Sequence, residues 1–140
     1  MNSWNVVSEC VETVVVHRHR KATVEIQTIE VPEDERGPPL GIERTRTPGN
    51  EKGRIVILVH GFAQNRYSWR VSQRSLTAFL AMNGYDVLNL ELRGHGRSRE
   101  LGSRNATSMA EYVADLVRVV EDCPHPPFVI GHSLGGGVGV

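Results

Sequence analysis

The sequence predicts an α/β fold in which antiparallel N-terminal strands lead into a mostly parallel sheet flanked by helices. Three observations predict it. From residue 53 onward, short apolar runs alternate with segments of helical period. Those runs are continuous rather than alternating, as expected of strands buried on both faces. The first fifty residues instead carry β-branched, partly alternating segments, the pattern of an antiparallel edge.

The elements follow in chain order. Val11–His17 and Ala22–Val31 read as strands, joined by a basic turn at residues 17–21. Pro32–Pro39 reads as a loop, because its Pro and Gly residues cannot hold a ladder. Ile42–Thr47 reads as another short strand, closed by a turn at Pro48-Gly49-Asn50. Arg54–Val59 is an unbroken apolar strand. Ser72–Met82 reads as a helix with Leu76, Phe79 and Leu80 at core spacing and Asn83-Gly84 as its stop. Tyr85–Leu92 is the next strand and Arg93–Arg104 a glycine-rich loop. Ser108-Met-Ala-Glu111 has the capping-box pattern that opens a helix through Asp122. Its apolar stripe is Met109, Tyr112, Val113, Leu116, Val119 and Val120. Phe128–Gly131 reads as a third short buried strand, and a helix is expected from Gly135 onward. Strand–helix alternation of this kind predicts parallel strands with right-handed crossovers.

Length and composition bound the function. The 140 residues are 39% hydrophobic and 23% charged, which suits one small globular domain. Sixteen basic and sixteen acidic residues cancel, so no electrostatic case exists for nucleic acid or an anionic membrane as main partner. Two cysteines, Cys10 and Cys123, make no disulfide scaffold and share no metal-ligand spacing with the histidines; free thiols, no metal and no cofactor are expected. No signal peptide and no membrane-length apolar run is visible, and a cytoplasmic chain is the expectation.

The chemistry concentrates in Gly131-His132-Ser133-Leu134-Gly135. A G-x-S-x-G pattern alone arises by chance about once in ten chains of this composition. Its setting is what raises it: the pattern follows an apolar strand and precedes a glycine-rich helix start, which is what a nucleophile elbow requires. A serine hydroxyl needs a base to take its proton, so it has to project clear of its own backbone, and a tight turn at a strand's end does this. Gly131 and Gly135 relieve the crowding of that turn. The Leu134 N–H, at the start of a helix, is then a candidate oxyanion donor. A second donor is expected from His60-Gly61-Phe62-Ala63, directly after Arg54–Val59, where Gly61 permits a sharp turn and the Phe62 N–H can face the same oxygen. Two motifs at the C-terminal ends of neighbouring strands are what an α/β sheet uses to build a site.

A third block, Glu91-Leu-Arg-Gly-His-Gly-Arg-Ser98, follows the strand Tyr85–Leu92. With Val59-His-Gly-Phe62, Arg93-Gly-His-Gly96 plus Ser98, and Gly131-His-Ser-Leu-Gly-Gly136 in this order, the chain resembles the α/β-hydrolase fold superfamily over residues 53–140. The earlier strands, within residues 1–52, correspond to the antiparallel start of that fold. Many relatives carry Asp where Glu91 stands, a departure expected to touch loop packing. The resemblance implies Ser133 as nucleophile and the Phe62 and Leu134 N–H groups as oxyanion hole. Dehalogenases and epoxide hydrolases of the superfamily place Asp at the elbow, so the serine points to ester chemistry. The Leu- and Ala-containing helix before Gly84-Tyr-Asp-Val is similar to that of lipases of the fold, which points to lipid-like esters. Acyltransferase, thioesterase, amidase and C–C hydrolase chemistries share the scaffold, as does a non-catalytic binding module.

His60 and His95 are expected to pack and shape loops. The His132 side chain is expected to point away from Ser133. Asp86, Asp115 and Asp122 are not placed to orient a base. Phe62, Tyr67 and Trp69 are candidates to line an acyl pocket. In this fold the order is Ser, acid, His, and no acid or His follows Ser133 in residues 134–140. The expectation is an incomplete α/β-hydrolase fold: the N-terminal part of one domain, inactive by itself, with uncovered apolar surface.

Overall fold

The computed structural model describes residues 1–71 and 73–139. Its described residues form one mixed sheet in the order β5-β6-β1-β2-β3-β7-β4-β8. The strands are β1 (Asn5–His17), β2 (Arg20–Val31), β3 (Leu40–Arg46), β4 (Arg54–Val59), β5 (Arg70–Val71), β6 (Arg74–Ser75), β7 (Tyr85–Glu91) and β8 (Phe128–Gly131). The expected division holds: β1, β2, β3 and β7 pair antiparallel in turn, whereas β4 runs parallel to both β7 and β8. The β1–β2 hairpin turns at exposed Arg18, which has φ 56°. β1 begins at Asn5, six residues before the expected start.

Helices cover both faces. They are α1 (Leu76–Met82), α2 (Gly96–Glu100), α3 (Met109–Asp122) and α4 (Leu134–Gly139). On one face Ile29, Ile42, Ile57, Val59, Leu88 and Leu90 pack against Tyr112, Leu116 and Val119 of α3 and Val138 of α4. On the other, Val56, Leu58 and Val87 meet Trp69, Leu76 and Leu80, while Val16 and Val24 meet Ala78 and Ala81 of α1. β4 and β7 are therefore buried on both faces, and continuous apolar sequence is what that position demands.

Several expectations are corrected. The helix expected from Ser72 begins at Leu76, because Arg74–Ser75 instead pairs antiparallel with Arg70–Val71. The Ser75 hydroxyl then caps the helix by accepting from the Ala78 N–H at 3.1 Å. Ser72 and Val140 lie outside the described residues. Phe79, expected in the core, is exposed, and Thr77, Ala78 and Ala81 are buried in its place. The Arg93–Arg104 loop contains α2. Met109 is exposed, leaving Tyr112, Leu116 and Val119 as the buried stripe. The capping box is displaced by one residue: Ser108 is the N-cap residue of α3, but the Glu111 carboxylate reaches back to the Thr107 N–H at 2.7 Å. β8 is an edge strand whose Phe128, Val129 and Ile130 are exposed, so its expected burial fails because among the described residues only β4 flanks it.

Polar side chains tie the loops to the helices. Buried Arg118 of α3 donates to the carbonyls of Pro32 and Pro38, fixing the loop between β2 and β3. Arg44 and Asp86 form a buried ion pair between β3 and β7. Cys10 and Cys123 are both free thiols; burial pushes the Cys123 thiol up to about 11. Among the described residues no helix is long and apolar enough to cross a membrane.

Candidate active site at the strand ends

β4, β7 and β8 run parallel, so their C-terminal ends lie at one edge of the sheet and all three sequence blocks emerge there. The block after β8 turns most sharply. Ser133 sits at φ 55°, the left-handed region, which costs a residue with a Cβ about 1–2 kcal/mol. The turn is held by the His132 N–H donating to the Val59 carbonyl at 3.0 Å and the Gly135 N–H donating to the His132 carbonyl at 3.0 Å. The flanking glycines are demanded by close approach. A Cβ on Gly135 would overlap the Val59 carbonyl and lie 2.6 Å from that of His60; one on Gly131 would overlap the Gly135 carbonyl and lie 2.6 Å from the Gly136 nitrogen. α4 thus starts packed directly against the end of β4, and Ser133, at the apex, is exposed.

The block after β4 meets it. A Cβ added to Gly61 would lie 3.3 Å from the Ser133 Cβ, which places the two turns in contact. Within this loop the Gly61 N–H donates to Gln64 Oε1 at 3.0 Å, the Ala63 N–H to His95 Nε2 at 3.0 Å and the Gln64 N–H to the Gly61 carbonyl at 3.2 Å. The Phe62 N–H, between them, has no protein acceptor among the described residues. The Leu134 N–H is the first amide of α4, where an intrahelical acceptor does not exist. Gly61, Phe62, Ser133 and Leu134 are thus brought together. The Phe62 side chain is 64% exposed and lines a hollow beside this loop, whereas exposed Tyr67 has the guanidinium groups of Arg66 and Arg70 over its ring.

The block after β7 is a buttress. Glu91 is 1% exposed, and its carboxylate accepts from the Arg66 N–H at 3.0 Å, the Arg97 N–H at 2.9 Å and Arg66 Nη1 at 2.9 Å. A Cβ on Gly96 would overlap this carboxylate. Arg93 forms a bidentate pair with Asp115 of α3, both bonds at 2.7 Å, and that bond holds its pKa above the ordinary value. The Ser98 hydroxyl donates to the Glu91 carbonyl at 2.5 Å and accepts from the Gly41 N–H at 2.8 Å. Glu91 therefore does more than pack: it joins the loop after β4 to α2. The signal for this lay in the sequence as a carboxylate ending an apolar strand, a group that must find donors when buried.

Neither strand-end histidine is a base for Ser133, because both ring nitrogens of each are engaged. His60 Nδ1 bonds the Gly61 carbonyl at 2.7 Å and its Nε2 accepts from the Leu92 N–H at 3.1 Å. His95 Nδ1 bonds the Arg93 carbonyl at 2.9 Å. Burial, and secondarily the neighbouring His95, lower the pKa of His60. The His132 ring packs edge-on to Trp69 at 6.4 Å. Asp86 and Asp115 are held in their ion pairs with Arg44 and Arg93, and Asp122 with Arg36. A hollow of about 290 Å³ lies beside the loop, lined by Phe62, Gln64, Asn65, His95, Arg99 and Asn105 among others. Another of about 310 Å³, between β1–β2 and α1, shares no residue with these loops. Among the described residues no group of three or more His, Cys, Asp or Glu could hold a metal ion.

Comparison with known proteins gives a consistent result. The model of the alpha/beta hydrolase family matches residues 56–140. Epoxide hydrolase B of Mycobacterium tuberculosis is 37% identical over 93 residues, covering 66% of this chain and 25% of that protein. Protein phosphatase methylesterase 1 of Mus musculus is 32% identical over 100 residues, covering 69% of this chain and 25% of that protein. Among solved structures, the thioesterase domain from the curacin biosynthetic pathway superposes with a TM-score of 0.64 at 24% identity, covering 81% of this chain and 37% of that one. The chain spans about a quarter of the length of these curated relatives.

Proposed function

The chain belongs to the alpha/beta hydrolase family, and on that premise we propose that Ser133 is the nucleophile of a serine hydrolase cleaving carboxylic esters. One observation carries the reading. Ser133 is a non-glycine residue held at φ 55° on the apex of a turn that is wedged by two close-approach glycines and touches the Gly61 loop. Strain of this kind persists only where the surroundings impose it, and it clusters at working sites.

In the proposed reaction Ser133 Oγ attacks the ester carbonyl carbon while a base removes its proton. The Phe62 and Leu134 N–H groups receive the developing oxyanion. Collapse expels the alcohol, which takes the proton back, and water then releases the acid from the acyl-serine. The base and its acid partner belong to chain beyond residue 140 in this proposal, with residues 1–140 forming the N-terminal part of one hydrolase domain. The short share of each relative that is covered supports that assignment. No cofactor takes part. Epoxide opening, which the mycobacterial relative's name suggests, is disfavoured because epoxide hydrolases carry Asp where Ser133 stands. The methylesterase and thioesterase names fit acyl transfer to serine.

The test is turnover of p-nitrophenyl esters by the intact protein. Ser133→Ala is expected to lower the rate on the order of 10⁴–10⁶-fold. An intact protein whose turnover survives that change refutes the assignment. Turnover by residues 1–140 alone, abolished in Ser133→Ala, refutes the placement of the base in later chain.

A further inference from the structure

Two buried imidazoles stitch the β4 and β7 ends together reciprocally. A backbone N–H can only donate, so the nitrogen that receives it must carry a lone pair. His60, on the β4 end, receives the Leu92 N–H from the β7 end at its Nε2. His95, after β7, receives the Ala63 N–H from the loop after β4 at its Nε2. In each ring Nδ1 faces a carbonyl and therefore bears the proton. Both rings are thus neutral Nδ1–H tautomers, and their centroids lie 5.0 Å apart. His60 is fully buried and His95 is 6% exposed. Phe62 and Tyr112 meet His95 edge-on at 5.7 and 6.2 Å.

Ala63 is the second strained residue of the site, at φ 59°. It directly follows Phe62, so whatever holds the Ala63 amide also sets the orientation of the Phe62 backbone. We propose that His95 is a positioning residue: its neutral Nε2 pins the Ala63 N–H and so aims the Phe62 N–H at the Ser133 centre, while His60 locks the partner strand end. Its catalytic consequence rests on the ester-hydrolase reading; the hydrogen bond itself does not. Protonating His95 replaces the acceptor by an N–H facing an N–H, and Ala63 is released. The titratable and charged groups around the pair are Glu91 on β7, Arg93 after it, Arg99 on α2 and Tyr112 on α3.

Hydrogen exchange at the Ala63 amide of the intact protein tests this, with His95→Phe removing the acceptor but keeping a ring, and His95→Gln restoring an acceptor oxygen. The expected result is protection at pH 8 in the parent and in His95→Gln, and loss of protection by tenfold or more in His95→Phe. On acidification, loss of the Nε2 acceptor is expected to lower protection in the parent and to leave it level in His95→Gln. Unchanged protection in His95→Phe, or a flat profile in the parent, overturns the proposal. If His95→Phe does not fold, the pH profiles of the parent and His95→Gln decide alone. The activity arm is separate: kcat for a p-nitrophenyl ester is expected to fall about 10–100-fold in His95→Phe with KM little changed, and to recover in His95→Gln. Intact exchange behaviour with no Ser133-dependent turnover contradicts the ester-hydrolase reading and leaves the stitch standing. Normal turnover in His95→Phe contradicts the positioning role.

Discussion

At the edge where the three parallel strands finish, β4 and β7 end in buried side chains and β8 ends in exposed ones. His60, Glu91 and His95 are all nearly inaccessible, and their polar atoms are spent on neighbouring backbone. One strand over, Phe128, Val129, Ile130, His132 and Ser133 face outward. The difference separates two kinds of strand end at one edge of the sheet. The β4 and β7 ends form a wall in which the Ala63, Arg66, Leu92 and Arg97 amides donate to buried acceptors. The β8 turn presents a strained serine against that wall. Stability should therefore be sensitive at the wall and at the wedge beneath the turn, and insensitive at the serine itself.

The largest break in this contrast is expected at the wedge. Gly135→Ala forces a methyl into the Val59 and His60 carbonyls. Because backbone on both sides must move, the cost is about 4 kcal/mol or more, seen as loss of soluble folded protein. Next comes the wall. Glu91→Gln removes the charge that three donors share and turns an N–H₂ toward one of them. The expected loss is about 3 kcal/mol in a denaturant melt, with the loops of residues 61–66 and 93–97 losing exchange protection together. A third effect is pH-dependent. His60 is buried neutral and its pKa is lowered in the folded chain. The unfolded chain therefore binds more protons below about pH 6.5, the ordinary histidine value. This contribution is complete above that pH and is lost as pH falls through the folded value, with a slope no steeper than about 1.4 kcal/mol per pH unit. His60→Gln should flatten that slope. The smallest effect belongs to the serine. Ser133→Gly relieves left-handed strain of about 1–2 kcal/mol, offset by about 0.4–1 kcal/mol of added unfolded-state freedom. A net gain of roughly 0.5 kcal/mol is expected, with function lost.

The same contrast explains what the sequence disclosed. β4 and β7 were legible because burial on both faces leaves an unbroken apolar run. Phe128–Ile130 has the same composition, yet it lies at the sheet edge, and a neighbour's presence is a tertiary fact that no local window carries. The start of α1 differs from the expected one because the pairing of Arg74–Ser75 with Arg70–Val71 overrides helical spacing there. Phe79 faces outward because Ala78 and Ala81 allow α1 to approach β2 closely. At the site, Gly61, Phe62, Gly131, Ser133, Leu134 and Gly135 were legible as spacing, since tight turns demand glycine at fixed offsets. The acceptor roles of Glu91, His60 and His95 were not, because each depends on a backbone amide about 25 to 32 residues away in sequence.

The central claim is that the exposed, strained serine is an activated nucleophile rather than a turn residue. Treating the intact protein with a fluorophosphonate and locating the adduct by peptide mass spectrometry tests it most directly. The expected result is a single phosphonylated residue, Ser133, with no labelling after heat denaturation or in Ser133→Ala. An intact, folded protein that takes no label, or takes it equally in Ser133→Ala, would contradict the account.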